Sequence, residues 1–233
     1  MVKSEIISAM KANRLYWLGR YENRVYLTLH QLNKCYDMMI DGLPDEYDSL
    51  WKKLDVDQSY QTKEAFTLGI LYDEQNPSSV MSAQRCAMDN AILLREDIMS
   101  ETLSYLEMSM ALLRRCSAEQ NLNPTCLQPI TDWSLAFWGA SEQRVLNHKA
   151  LNLMMIGRNV ENLDMLLRFG YPFRRIALAY ESLKRYCRVA DDDVIDDHIL
   201  RQLDDLVSEE LYADDSFEYK AKLIKYTNQL VRV

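Results

Sequence analysis

No phosphate-binding loop, dinucleotide fingerprint or nucleophile elbow occurs in this chain of 233 residues. A self-sufficient kinase, dehydrogenase or hydrolase therefore has no support in its motifs. No apolar run is long enough to span a bilayer, so membrane association is not expected. His30, His148 and His198 stand singly, without a Cys or acidic partner at ligand spacing, and no metal site is expected. Basic charge is scarce: 27 Lys and Arg against 35 Asp and Glu leave a net −8. That is the wrong sign for a nucleic-acid face, and no nucleic-acid partner is expected. The cysteines, Cys35, Cys86, Cys116, Cys126 and Cys187, are odd in number and widely spread, which suits reduced core thiols better than a disulfide framework. The amino-terminal residues read as amphipathic rather than as a secretory signal, and a cytoplasmic location is expected.

What remains is helical. Hydrophobic residues make up 48% of the chain and charged residues 27%, an ordinary globular balance. One domain over residues 1–233 is expected, with motif-bearing halves at about 1–120 and 121–233. Apolar residues at three- and four-residue intervals predict a first helix over 4–41, stopped by Gly42 and Pro44. Shorter helices follow over 44–54 and 62–72. Asn76-Pro77-Ser78-Ser79 opens a second long helix that runs to about 115, and 121–129 is a loop. A short helix over 130–139 precedes a third long one, capped by Ser141 and ended by Gly170. Segments 172–190, 196–211 and 216–231 complete an all-α bundle of long antiparallel helices, with no strand.

Within the first helix, residues 15–29 (LYWLGRYENRVYLTL) carry charge among apolar neighbours on most sides. Leu18, Tyr21 and Val25 form one stripe, flanked by Tyr16, Trp17 and Leu27. Arg20, Asn23 and Arg24 lie three and four positions apart on that flank, where buried charge needs a partner. An echo occurs at 153–167 (LMMIGRNVENLDMLL), in which Gly157 matches Gly19, Arg158 matches Arg20, Glu161 matches Asn23, Asn162 matches Arg24 and Asp164 matches Tyr26. Glycine before arginine in both copies points to close helix crossings, and the repetition to halves related by a pseudo-two-fold.

These motifs resemble the alpha-E family of bacterial helical proteins. The family's early YWLGRYLERAE run is similar to residues 16–26 (YWLGRYENRVY), and its later LGRxxERAD run to residues 155–164 (MIGRNVENLD). Its NPSS-headed helix is similar to residues 76–96, which hold Arg85, Asp89, Asn90 and Arg95. The Glu-Arg pair that names the family is split here: the first copy reads Asn23-Arg24 and the second Glu161-Asn162. The middle motif reads Met88-Asp89-Asn90-Ala91-Ile92 where the family has Arg-Glu-Asn-Ala-Arg. The resemblance implies a component of a peptide or amide-bond synthesis or modification system. Such proteins are encoded beside, or fused to, circularly permuted ATP-grasp carboxylate-amine ligases, transglutaminase-like proteins and NTN-type peptidases. It implies an ATP-grasp ligase as partner; no cofactor is expected on this chain, and any ATP would be the partner's.

The candidate binding residues are thus Arg20, Asn23, Arg24, Arg85, Asp89, Asn90, Arg95, Arg158, Glu161, Asn162 and Asp164. Their chemistry suits two readings besides the accessory one. Converging guanidinium groups grip a carboxylate or phosphate in bidentate fashion, so a stand-alone enzyme could bind such an intermediate while Glu161 or Asp164 moves a proton. Alternatively, the same residues form a buried ion network that fixes helix register in a purely structural interaction protein. Arg24 and Glu161, the split halves of the pair, could meet between helices; equally, Arg24 could meet Asp164, and Glu161 could meet Arg158 or Arg20. Asp192-Asp193-Val194-Ile195-Asp196 matches the DDxxD motif of isoprenoid synthases, but acidic residues ahead of a helix are expected from the macrodipole.

Overall fold

The computed structural model describes residues 7–41, 50, 52–54, 56, 60, 62–191, 193–213 and 217–232. Every regular element among them is helical; one isolated antiparallel bridge joins Ile195 to Val231. The chain divides into two compact units, one made of Met1–Arg20 with Asn147–Val233 and the other of Tyr21–Leu146. Helix α1 (Ala9–Ile40) contributes residues 9–20 to the first unit and 21–40 to the second. It begins later than the pattern predicts, since Ile7 and Ser8 are not helical; residues 4–6, Gly42, Pro44 and most of the expected 44–54 helix lie outside the described residues.

In the second unit, α2 (Lys63–Tyr72) starts where Thr62 accepts a hydrogen bond from the Ala65 amide at 3.1 Å. That bond satisfies one of the amides a helix start leaves without a carbonyl. Ser79 does the same for the Ser82 amide at the head of α3 (Val80–Leu93). The expected continuous helix to residue 115 is broken. α3 gives way to a single turn, α4 (Arg95–Ile98), and then to α5 (Ser100–Ala118), with Met99 at φ 66°, ψ 156° between them. The reason is packing. Gln84 Nε2 donates to the Leu106 carbonyl at 3.0 Å, whereas 22 residues of straight helix would hold those groups about 33 Å apart. Folding back lets α3 and α5 bury Ala83, Ala87 and Ala91 with Leu106, Met110 and Leu113.

The expected loop over 121–129 is shorter than predicted. Asn123 caps a 3-10 turn (Pro124–Leu127), and α6 (Gln128–Arg144) follows directly. Ser141 is not a cap: its hydroxyl donates to the Phe137 carbonyl inside α6. The cap of α7 (His148–Arg168), in the first unit, is Asn147, which accepts from the Lys149 and Ala150 amides. Gly170 at φ 62° ends α7 as predicted, because only a residue without Cβ adopts that conformation at no steric cost. Pro172 then precedes α8 (Phe173–Cys187).

The expected 196–211 helix is two, α9 (Asp197–Leu206) and α10 (Glu209–Ala213), and the last is α11 (Phe217–Gln229). Asp196 caps α9 by accepting from the His198 and Ile199 amides, and its other oxygen holds Arg232. That is the macrodipole reading of the acidic run; Asp192 lies outside the described residues. The core of this unit is lined by Tyr16, Val160, Leu163, Leu167, Ile176, Tyr180, Leu183, Leu203 and Leu223, drawn from α1, α7, α8, α9 and α11. No described helix is long and apolar enough to cross a membrane.

Candidate functional site at the glycine crossing

The first copy of the glycine-arginine motif meets the second in the first unit, and glycine makes the meeting possible. A Cβ on Gly19 would fall inside 3.0 Å of the Met154 carbonyl, and one on Gly157 inside 3.0 Å of the Tyr16 carbonyl. Each glycine thus faces the carbonyl three residues before its counterpart. The same hypothetical atoms would stand 3.1 Å from the Arg158 and Arg20 amide nitrogens. Backbone lies against backbone, as the sequence pattern predicts.

That approach carries Arg20, the residue after Gly19, onto the next turn of α7. Its Nε and Nη2 donate to Glu161 Oε2 at 2.8 and 2.7 Å, and its Nη1 lies 3.4 Å from the Tyr16 hydroxyl. The guanidinium carbon stands 5.2 Å from the Trp17 ring centroid, within cation-π range. Arg20 is 5% exposed and Glu161 0%. Burial alone would pull the Arg20 pKa down, but Glu161, Tyr16 and Asp164 outweigh it, so the guanidinium holds its proton more tightly than a free arginine does. Burial pushes the Tyr16 phenol up, against the opposing pull of Arg20.

One turn further along α7, Asp164 is also fully buried. It accepts from Arg168 Nε at 2.6 Å and from Asn228 Nδ2 of α11, also at 2.6 Å. Each of the two buried carboxylates of α7 therefore has a guanidinium partner, Glu161 in Arg20 and Asp164 in Arg168. Such pairing is what makes buried charge tolerable.

The remaining motif residues are distributed differently. Arg158 and Asn162 are half-buried on α7. Asn23 is buried and Arg24 half-buried on α1, in the stretch that belongs to the second unit. Arg85, Asp89 and Arg95 stand exposed in that unit; Arg85 pairs with Glu74 at 2.6 Å, and the half-buried Asn90 donates to the Cys86 carbonyl at 3.0 Å. Of the pairings weighed for Glu161, the one with Arg20 is formed.

Sequence reasoning passed over Arg168 and Asn228 at this site and, in the second unit, Glu22. Glu22 is 2% exposed and accepts from the Ser134 hydroxyl of α6. It belongs to the buried stripe Leu18, Glu22, Val25 and Leu29, whereas Tyr21, which the spacing puts in that stripe, is half-buried. The stripe was legible from its four-three-four spacing. Arg168 was legible too, four residues after Asp164. Asn228, far along the chain, left no signal.

The model of a family named Alpha-E, described as a predicted alpha-helical domain with a conserved ER motif, matches residues 8–204. The chain belongs to the Alpha-E family. No curated protein and no solved structure matches it. In this Alpha-E chain the glutamate of the second copy bonds the first copy's glycine-linked arginine across the crossing, which keeps a glutamate-arginine pair where neither copy has one of its own. A groove of about 140 Å³ elsewhere in the first unit, with Ala12, Lys149, Leu153, Asp191 and Arg232 in its lining, includes none of the candidate binding residues.

Proposed function

We propose that this protein is a helical component of a peptide or amide-bond synthesis or modification system, acting with an ATP-grasp carboxylate-amine ligase. The observation that supports an accessory role over a stand-alone enzyme is the state of Arg20. Its donors already engage Glu161 and Tyr16 inside a crossing that leaves it 5% exposed. A guanidinium held that way supports helix register rather than capture of a carboxylate or phosphate ligand. In this reading the two glycine-arginine copies are halves related by a pseudo-two-fold, for which the reciprocal contact of Gly19 and Gly157 speaks. The exposed Arg85, Asp89 and Arg95 are then the motif residues presented to the ligase.

The test is co-expression with a circularly permuted ATP-grasp ligase from the same genome. The expected results are a complex stable to size-exclusion chromatography, weakened by Asp89→Lys and Arg95→Glu, and ATP-dependent amide formation that needs both proteins. The purified chain alone is expected neither to hydrolyse ATP nor to form amide bonds. Activity from the chain alone would overturn the accessory reading. A ligase that is equally active without it, and never bound to it, would overturn the partnership.

A further inference from the structure

Cys116 and Cys126 lie at the two ends of the passage from α5 to the 3-10 turn, and their sulfurs approach to 3.5 Å. We propose that they form a redox modification site, a dithiol that a small-molecule disulfide converts to an intramolecular disulfide.

The local structure holds the two sulfurs together. Cys116 is in the last turn of α5, where its carbonyl accepts from the Asn121 amide at 3.0 Å and so curls the chain back toward the helix end. Gln120, at φ 48°, makes that reversal. Asn123 then ties the next turn by accepting from both the amide and the hydroxyl of Thr125, and Pro124 restricts the backbone ahead of Cys126. From α2, the Tyr72 hydroxyl donates to the Asn121 carbonyl at 2.9 Å. The reversal between the cysteines is thus fastened at three points while both remain thiols. Cys116 is buried and Cys126 half-buried, so an oxidant reaches Cys126 first.

The chemistry balances in two exchanges. The Cys126 thiolate attacks the small disulfide, forming a mixed disulfide and releasing one small thiol. Cys116, deprotonated in turn, attacks the Cys126 sulfur, forming the protein S–S bond and releasing the second small thiol. Two cysteine S–H bonds are lost, and the two electrons and two protons end on the small thiols. Burial first, and then the neighbouring Cys116, push the Cys126 thiol up to about 12; Tyr72 and Glu119 are the other titratable groups facing it. Thiolate is therefore scarce at neutral pH, and the exchange is expected to speed up about tenfold per pH unit between roughly pH 7 and 9.

The sequence makes the product easy to read. No Lys or Arg lies between Cys116 and Arg144, so trypsin leaves both cysteines in one peptide, while a Glu-specific protease cuts between them at Glu119. After incubation with oxidised glutathione, the peptide 116–144 is expected to lose two hydrogen atoms, and its two cysteine-bearing Glu-specific fragments, 116–119 and 120–142, to stay joined until reduced. The melting temperature of the oxidised chain is expected to rise by about 5 °C. Cys116→Ser and Cys126→Ser, checked for native helicity, should each abolish both changes. The proposal is overturned if wild-type protein instead carries glutathione on Cys126, forms disulfide-linked dimers, or keeps both thiols open to alkylation after denaturation. A melting temperature unchanged by a demonstrated internal bond would overturn the fastened-in-advance geometry.

Discussion

Gly19 and Gly157 are each other's condition: each leaves out the Cβ that would collide with the carbonyl of the helix carrying the other. Arg20 reaches Glu161 because the two backbones touch one residue earlier. The glycines cost helix propensity and return a crossing that side chains could not make.

Alanine at either crossing glycine is expected to destabilise the chain by at least about 2 kcal/mol, since the obstructing atoms are backbone and cannot swing aside. Gly139, exposed in α6, has nothing within 4 Å of its would-be Cβ. Gly139→Ala is therefore expected to stabilise by about 0.5–1 kcal/mol through helix propensity alone. Urea unfolding of Gly19→Ala, Gly157→Ala and Gly139→Ala checks both signs.

Breaking the buried ion pair from one side strands the other charge. Arg20→Met is expected to cost about 3–5 kcal/mol, and Arg20→Met with Glu161→Leu less than the sum of the single losses. A denaturant double-mutant cycle measures the coupling; simple additivity would mean that the pair does not act as a pair.

Met99 occupies a backbone region, φ 66° with ψ 156°, that suits glycine almost alone. Met99→Gly is expected to raise stability by about 1 kcal/mol, although it introduces a residue that usually weakens helical chains. Met99→Ala, which keeps the Cβ, is expected to bring no such gain. Thermal unfolding of both variants separates relief of strain from loss of the methionine side chain.

Burial raises the phenols of Tyr16, Tyr72 and Tyr180 above their ordinary value, with Arg20 opposing the shift at Tyr16 and Asp204 adding to it at Tyr180. A raised folded-state pKa contributes stability that is complete below the unfolded value near 10 and is lost as pH climbs toward the folded one. Stability is thus expected to fall as pH rises above about 10, with tyrosinate absorbance appearing together with loss of helicity. Tyr16→Phe should make that alkaline fall shallower.

Periodicity and caps made the helical class, the stop at Gly170 and the close approach at the two glycines legible, because those features depend on backbone chemistry local to a few residues. The helix start at Ser79 was legible for the same reason. The break at Met99 was not: the apolar pattern runs through it without interruption, and only the gain from packing α3 on α5 makes the reversal favourable. The sequence names Ser141 as the cap where the structure uses Asn147, because both residue types cap well and which one starts a helix depends on where the preceding helix ends.

At the site, residue types in register were enough to nominate Arg20, Glu161 and Asp164 as charged residues in apolar surroundings that needed partners. Which charges would meet was a matter of packing. Glu161 had several arginines within plausible reach, and the contact chosen is the one that the glycine crossing brings to 2.7 Å. Asp164 took Arg168 from its own helix and Asn228 from 64 residues away. Local pattern determines that a charge is buried, because burial follows from the faces of its own helix. Its partner is decided by the docking of helices distant in sequence, where small differences in fit outweigh anything a single segment encodes.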